Sequence, residues 1–254
     1  MLTASIRYSI AGCVMLAFAR RRGAAWPTAR QWLRVVPIGA LLFIGGNGFV
    51  AVAEQTVASS GVAVVCATMP LWTGVFAAVG GERPARSEWL ALLFGFAGVV
   101  ILMGGPSLVG KPAHIALAIL SPACWALGSY LARRGAKSAP QDTFMSSATQ
   151  MLTGGAALAV VALARSERIP LDASPKAWLA VGYLIVFGSL IAFTAYNWLM
   201  RNARPVVATS YAYVNPVLAV LIGAAASERF GVSTVIANAL IVGAVALALR
   251  KPRK

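Results

Sequence analysis

Nine long apolar segments set the narrowest limit on how this chain can fold. Each segment is apolar over about 16 to 23 residues, and a helix of that length, rising about 1.5 Å per residue, crosses a hydrocarbon core of roughly 30 Å. With 59% hydrophobic and 11% charged residues, the 254-residue chain has more apolar surface than a soluble domain could bury. We therefore predict an all-α polytopic membrane protein whose nine spans are residues 4–19, 35–53, 61–80, 89–105, 113–132, 145–164, 177–199, 206–226 and 232–249.

The positions of the 22 lysines and arginines predict how the chain is oriented in the bilayer. If alternate loops lie on one side, that side receives 16 of the 22 basic residues and all other positions receive six. The positive-inside rule then places these loops and the basic tail, residues 250–254, in the cytoplasm, with the N-terminus outside. The 16 residues are Arg20, Arg21, Arg22, Arg30, Arg34, Arg83, Arg86, Arg133, Arg134, Lys137, Arg201, Arg204, Arg250, Lys251, Arg253 and Lys254.

Two stretches of the chain repeat one pattern of residues. TMPLWTGVFAAVGGER and NPVLAVLIGAAASERFG each carry a proline followed twelve positions later by Glu-Arg. A shift of 146 residues superposes Pro70 on Pro216 and Glu82 on Glu228. By the charge pattern, the first Glu-Arg pair lies on the cytoplasmic side and the second lies outside. The pattern therefore predicts two inverted repeats.

Further matches extend the repeat over most of the chain. Gly98 matches Gly243, and Arg7 matches Gln150 at a shift of 143 residues. We assign the first repeat to residues 1–105, with four spans, and the second to residues 113–249, with five. Inversion requires an odd number of spans in each repeat, so the span at 113–132 has no counterpart. We therefore expect either that Met1 is an internal start or that one span has been lost.

Three further segments carry a family resemblance: GNGFVAVAEQ, AVGYLIVFGSLIAFTAYNWLMRN and ATSYAYVNPVLAVLIG. Together with the paired Pro and Glu-Arg stretches, they resemble the EamA-type transporters of the drug/metabolite transporter superfamily, particularly its bacterial inner-membrane exporters. The resemblance covers nearly the whole chain and implies ten helices in two inverted five-helix repeats. The chain departs from the family pattern because it lacks the first helix. In the family, that helix carries a Trp-Gly-Ser type motif.

The resemblance also implies what the protein does. It indicates a secondary transporter in the inner (plasma) membrane that exports a small metabolite, an amino-acid derivative or a drug-like solute by alternating access. Two alternatives stay open at this point. The chain could be a transport-inactive truncated remnant, or it could be a passive channel, which would need a continuous polar face on several helices.

Polar residues inside the spans are the candidates for contact with a solute, because in lipid each needs a protein partner or a wet cavity. Tyr211 and Asn215 share one helix face at positions i and i+4, whereas Tyr213 points elsewhere and suits an interfacial anchor. Packing between helices is the alternative for each candidate, and anchoring at the membrane surface is a second alternative for Tyr196. The cavity candidates are Tyr211, Asn215, Trp125, Ser129, Gln150, Asn47 and Tyr196.

The repeated prolines and acids are candidates for helix breaks or gates. Pro70 and Pro216 each lie about ten residues into a span, where proline removes one backbone hydrogen bond. Such a break either lines a cavity or shapes the packing of the helix. Glu82 and Glu228 end the two matching spans, where a latch and a solvated helix end are equally compatible with the sequence.

Arg7 and Glu54 are the two charges nearest the membrane interior. An ionisable residue in a span is a functional candidate, so Arg7 could recognise an anion or form an ion pair. Its position near the start of a span also allows the side chain to snorkel to the outer surface. Glu54, near the outer end of its span, is the one acid placed to sense an external proton.

Several other functions are excluded by the sequence. The formal charge of +15 is divided among short loops, which does not suit a nucleic-acid partner. The residues 105–111 resemble part of a phosphate-binding loop, but Pro112 replaces the hydroxyl and no strand precedes the loop. We expect no enzymatic activity, no cofactor and no metal, since Cys13, Cys66, Cys124 and His114 lack ligand spacing. The expected partners are a small-molecule substrate and the lipid bilayer, and a homodimer is left open.

Overall fold

The computed structural model describes residues 1–104, 108–138, 142–169, 173–215, 218 and 232–250, and every element in these ranges is helical. Seven helices within these ranges are long and apolar enough to cross a membrane. The elements are α1 (Leu2–Arg21), α2 (Ala29–Ala53), α3 (Ser59–Val79), α4 (Arg86–Leu102), α5 (Pro112–Ser138), α6 (Thr143–Ala164), α7 (Pro175–Asn202), α8 (Pro205–Thr209) and α9 (Val232–Leu249).

The all-helical membrane fold is thereby confirmed. Seven of the nine predicted spans correspond to the seven helices that are long and apolar enough to cross a membrane, and the other two do not. The span predicted at 89–105 corresponds to α4, a 17-residue helix that covers about 26 Å at the usual rise. The span predicted at 206–226 lies largely outside the described residues, which include only α8, helical residues 211–215 and Leu218. These two spans stay predictions.

Local sequence signals explain where several helices begin. Thr28 and Gln31 form a capping box at the start of α2, with the Thr28 amide donating to Gln31 Oε1 at 2.7 Å. Asp142 caps α6 by accepting from the amide of Phe144 at 2.9 Å. Ser174 caps α7, and Pro175 follows at the first helical position, where the missing amide proton costs nothing.

Two of the long helices contain π-helical stretches. Residues Ala40–Gly48 of α2 and Leu184–Phe193 of α7 both follow the wider π-helical hydrogen-bond pattern. Within the first stretch, Asn47 Nδ2 donates to the carbonyl oxygen of Leu42 at 3.4 Å. The two helices are partners in the predicted repeat. Because π-helical turns are rare and concentrate at functional sites, these two stretches make α2 and α7 candidates for a functional role.

The chain divides into two compact units, the first being Met1–Ala51 with Gly128–Asn202. In unit 1, α1 and α6 run antiparallel and cross at small residues. The Gly12 backbone lies against Leu152, and the Gly155 backbone lies against Ser9. Ser5 Oγ also donates to the carbonyl oxygen of Gly155 at 2.8 Å. Small residues let the two backbones approach, which is how helices gain packing energy in lipid.

An aromatic side chain fills the centre of unit 1. Phe43 of α2 is fully buried, and its ring lies 4.3 Å from that of Tyr8 and 5.2 Å from that of Phe193. A Cβ atom at Gly154 of α6 would lie 2.0 Å from the Phe43 ring. The absence of a side chain at Gly154 therefore lets Phe43 join three helices.

Unit 2 comprises Val52–Leu127 and Ala203–Lys254 and is centred on the packing of α4 against α9. A Cβ atom at Gly98 would lie 2.7 Å from Ile241 Cγ1, and one at Gly95 would lie 2.6 Å from the Tyr213 ring. The Tyr213 hydroxyl donates to the carbonyl oxygen of Leu92 at 3.0 Å. Tyr213 is 2% exposed, so the interfacial anchoring expected for it is wrong: the ring packs within the unit.

Candidate functional site

A group of buried polar side chains joins α5, α6 and α7 inside unit 1. The Tyr196 hydroxyl of α7 donates to Ser129 Oγ of α5 at 2.6 Å. The next residue, Asn197, donates through Nδ2 to Ser147 Oγ of α6 at 3.0 Å. All four side chains are buried. In a bundle this apolar, hydrogen bonds between helices fix both the rotation and the height of α7 against its neighbours.

The group continues along α6 to a small cavity. Gln150 Nε2 donates to Ser146 Oγ at 3.0 Å, and both residues line a cavity of about 50 Å³. Gln150 is 2% exposed, and its Oε1 atom has no hydrogen-bond partner among the described residues. A buried amide oxygen without a partner requires a donor from a water or a ligand. The cavity has room for about three waters.

Charged and polar residues at the helix ends complete the cavity lining. Gln31 and Arg34 come from the start of α2, Gly135 from the end of α5 and Arg201 from the end of α7. Arg34 is exposed and Arg201 is half-buried. These helix ends therefore lie together at one end of unit 1. We call Ser129, Ser146, Ser147, Gln150, Tyr196 and Asn197, together with this cavity, the polar cluster.

The sequence predicted part of this cluster. Tyr196, Ser129 and Gln150 were cavity candidates, and the structure brings all three into the polar cluster. Asn197 and Ser147 were missed, although an asparagine inside a span is itself a signal, because nothing local shows that its partner lies 50 positions away. Trp125, on the same helix as Ser129, is half-buried in unit 2.

Arg7 occupies a place that its sequence position did not indicate. Its Nε donates to Ser189 Oγ at 2.8 Å, and its Cζ lies 4.7 Å from the centre of the Tyr8 ring. Ser189 lies near the midpoint of α7, between Pro175 and Asn202. The side chain therefore extends towards the middle of a span and does not snorkel outward along α1.

The remaining sequence candidates are not members of the polar cluster. Tyr211 and Asn215 are both exposed on the helical residues 211–215, as expected for one shared face. Asn47 is half-buried and bonded within its own helix. Glu54 is exposed in the turn after α2. Their proposed roles stay predictions.

The repeated proline and acid positions are described in one repeat only. Pro70 is buried in α3, two residues after a turn at residues 67–68, where Thr68 Oγ1 donates to the Val65 carbonyl oxygen at 2.7 Å. A break in the span therefore lies immediately before Pro70. Glu82 is exposed after the end of α3. Pro216 and Glu228 lie outside the described residues.

Comparisons with known proteins find relatives that cover most of the chain. The sequence matches the EamA-like transporter family over residues 1–104 and 113–250. It is 40% identical over 224 residues to the inner membrane transporter YedA of Escherichia coli K12, covering 88% of this chain and 72% of that protein. The YedA protein of Escherichia coli O157:H7 gives the same values.

The three-dimensional fold also matches that of a solved protein. A crystal structure shares the fold with a TM-score of 0.80 at 26% sequence identity, covering 97% of this chain and 87% of that one. The fold, the long apolar helices and the match across both halves of the sequence agree with one another. The chain belongs to the EamA-like transporter family and is a multi-pass membrane transporter.

Proposed function

We propose that this protein is a secondary transporter of the inner membrane that exports a small metabolite, an amino-acid derivative or a drug-like solute by alternating access. The observation that carries the proposal is the polar cluster of unit 1, six buried polar side chains on three helices that end at a cavity. Polar side chains are expensive inside a membrane and concentrate where a solute or water passes.

The charges at the cavity support entry of the solute from the cytoplasm. Arg34 and Arg201 line the cavity, and Arg133 and Arg134 lie on the end of α5 that supplies Gly135. Under the positive-inside rule, this end of unit 1 faces the cytoplasm. A polar cavity at the cytoplasmic end is suited to capture a solute made in the cell, which is the first step of export.

The crossing of α1 and α6 supports the inverted repeat that alternating access requires. Gly12 lies against Leu152 and Gly155 lies against Ser9. The shift of 143 residues that matches Arg7 with Gln150 also matches Ser9 with Leu152 and Gly12 with Gly155. Each contact is therefore the image of the other across two antiparallel helices. Such local two-fold symmetry is what an inverted repeat produces, and inverted repeats exchange inward-open and outward-open states around a central site.

A passive channel is the second candidate, and the hydrogen bonds of the polar cluster argue against it. Tyr196, Ser129, Asn197 and Ser147 bond to one another between helices. A water-filled pore would leave such groups facing solvent along a continuous path. Release that rises linearly with solute concentration, without saturation, would support the channel.

The test compares solutes released by cells that make equal amounts of the protein, a Gln150→Leu variant, a Trp198→Phe variant or no protein. Gln150→Leu keeps the side-chain size but removes the amide, and Trp198, which is 57% exposed beside the polar cluster, provides the matched control. We expect cells that make the protein to release more solute than the empty control. Gln150→Leu should lower this release about tenfold, because a hydrogen bond in the transport path is lost. Trp198→Phe should leave the release unchanged. Equal release from all four cultures would contradict the proposal.

A further inference from the structure

The guanidinium of Arg7, a residue of α1, lies beside the midpoint of α7. Its partner Ser189 lies 14 residues from Pro175 and 13 residues from Asn202, which is about 20 Å from either end of α7. Both the Ser189 hydroxyl and the Tyr8 ring that support the guanidinium are buried. A charged residue at this depth is costly unless it faces a water-filled cavity or a counter-charge.

The groups around Arg7 orient its guanidinium but leave most of its donors unused. Ser189 Oγ takes the Nε proton, and the Tyr8 ring lies against the guanidinium face. Among the described residues, no acceptor bonds to Nη1 or Nη2, and no carboxylate lies within ion-pair distance of the side chain. The Arg7 side chain as a whole is half-buried.

Gly188 of α7 lies against the donor end of Arg7. A Cβ atom at Gly188 would lie 2.8 Å from Arg7 Nη2, so any larger residue there would displace the guanidinium. The result is a planar fork that is bonded at Nε and supported on one face, and whose two terminal nitrogens have no hydrogen-bond acceptor among the described residues. A fork of this kind matches the two oxygens of a carboxylate or phosphate.

We propose that Arg7 binds a carboxylate or phosphate group of the transported solute, so that the protein carries anionic or zwitterionic small molecules. The inference rests on the proposed transport function and narrows its substrate class. The phosphate of a lipid headgroup has the same chemistry, but headgroups lie at the ends of the hydrocarbon core, whereas Ser189 lies at the middle of α7. The position of the fork therefore favours a solute.

The first arm of the test identifies the released solutes in cells. Cells express the protein, Arg7→Gln, Arg7→Lys, the control Arg21→Gln or an empty vector at matched abundance, and the medium is compared by untargeted mass spectrometry. Arg21 is exposed at the other end of α1, so its loss removes the same charge away from the site. We expect Arg7→Gln to reduce release of carboxylate- or phosphate-bearing solutes about tenfold or more, Arg7→Lys to retain part of it, and Arg21→Gln to retain all of it.

The second arm separates failure of this inference from failure of the transport proposal. The purified protein in phosphatidylcholine nanodiscs is titrated with sodium acetate or inorganic phosphate at constant ionic strength, and Tm is followed. We expect acetate or phosphate to raise Tm for the protein and for Arg21→Gln, but not for Arg7→Gln. Release in cells that Arg7→Gln leaves unchanged would overturn the inference while keeping the transporter.

Silence in the cell assay together with an Arg7-dependent rise in Tm would keep the anion site and contradict export. Nanodiscs that contain phosphatidylglycerol test the lipid alternative. If that lipid raises Tm through Arg7 and soluble anions do not, then the site binds a headgroup, and the assignment to a solute is overturned.

Discussion

Arg204 forms an ion pair with Glu88 across 116 positions of the chain, with Arg204 Nη1 lying 2.5 Å from Glu88 Oε1. Glu88 is buried near the start of α4, and its other oxygen accepts from the amide of Ala85 at 2.8 Å. Arg204 Nη2 donates to the carbonyl oxygens of Ala248 and Arg250, both at 2.9 Å. One guanidinium thus joins the start of α4 to the end of α9, where carbonyl groups otherwise lack partners.

Removing either charge of this pair should destabilise unit 2. Glu88→Ala leaves Arg204 without its acid and the Ala85 amide without its acceptor, and the expected cost is about 2–4 kcal/mol because the acid is buried. The double variant Glu88→Leu/Arg204→Met should lose less stability than the sum of the losses in Glu88→Leu and Arg204→Met. Thermal unfolding of the purified protein in detergent measures both effects. Glu54→Gln, in an exposed turn, is the control, and additive losses in the double-variant cycle would contradict the coupling.

The two tyrosines of residues 211–215 should respond differently to loss of the hydroxyl. Tyr213→Phe removes the buried hydrogen bond to the Leu92 carbonyl oxygen, and we expect it to lower the free energy of unfolding by about 1 kcal/mol. Tyr211 is 36% exposed, so Tyr211→Phe should cost less stability than Tyr213→Phe. Circular dichroism melts of the two variants measure this difference. Equal losses would show that Tyr213 is not the buried member of the pair.

The length and hydropathy of the segments predicted nine spans, and the described residues support seven of them, because crossing a bilayer imposes a minimum apolar length. They could not predict which face of each helix packs inward. In lipid, both the packed face and the lipid-facing side are apolar, so helix periodicity placed Tyr211 and Tyr213 on different faces but could not predict which of them packs inward. The structure separates them by burial.

Long-range polar pairs were beyond sequence reasoning for a different reason. Ser129 and Tyr196 were each predicted as cavity residues from their positions in a span, but their hydrogen bond across 67 positions was not. Glu88 and Arg204 carried no signal beyond the expected charge of helix ends. Neither pair forms a local pattern. The partner of a polar side chain is set by which helices meet, and a single sequence does not specify that.

Gly98 and Gly243 occupy matching positions in the predicted repeat, yet their surroundings differ. A Cβ at Gly98 would lie 2.7 Å from Ile241 Cγ1 and 2.9 Å from the Ala237 carbonyl oxygen, whereas no described residue lies within 4 Å of one at Gly243. Gly98→Ala should therefore destabilise the α4–α9 contact by about 1–3 kcal/mol. Gly243→Ala should be neutral or stabilising, because alanine favours the helix. Detergent melts of both variants measure the contrast, and equal effects would argue against close packing at Gly98.

The Tyr196–Ser129 hydrogen bond should matter for transport as well as for stability. Tyr196→Phe and Ser129→Ala each break the 2.6 Å bond between α7 and α5 and leave the hydroxyl of the other residue buried. We expect each single variant to lose about 1 kcal/mol of stability and the double variant to lose less than the sum of the two, because the bond between the two residues is lost in each single variant.

Transport separates this role from simple packing. If the bond holds α7 in register beside Asn197 and the cavity, both single variants should lower the rate of solute release at equal abundance. Trp198→Phe changes an exposed ring two residues after Tyr196 and should not lower the rate of solute release. Rates of solute uptake into everted membrane vesicles, in which export from the cytoplasmic face appears as uptake, provide the test after normalisation to protein content. If the variants lose stability but release is unchanged, then the Tyr196–Ser129 bond serves packing only. The transport proposal would then rest on Gln150 and the cavity.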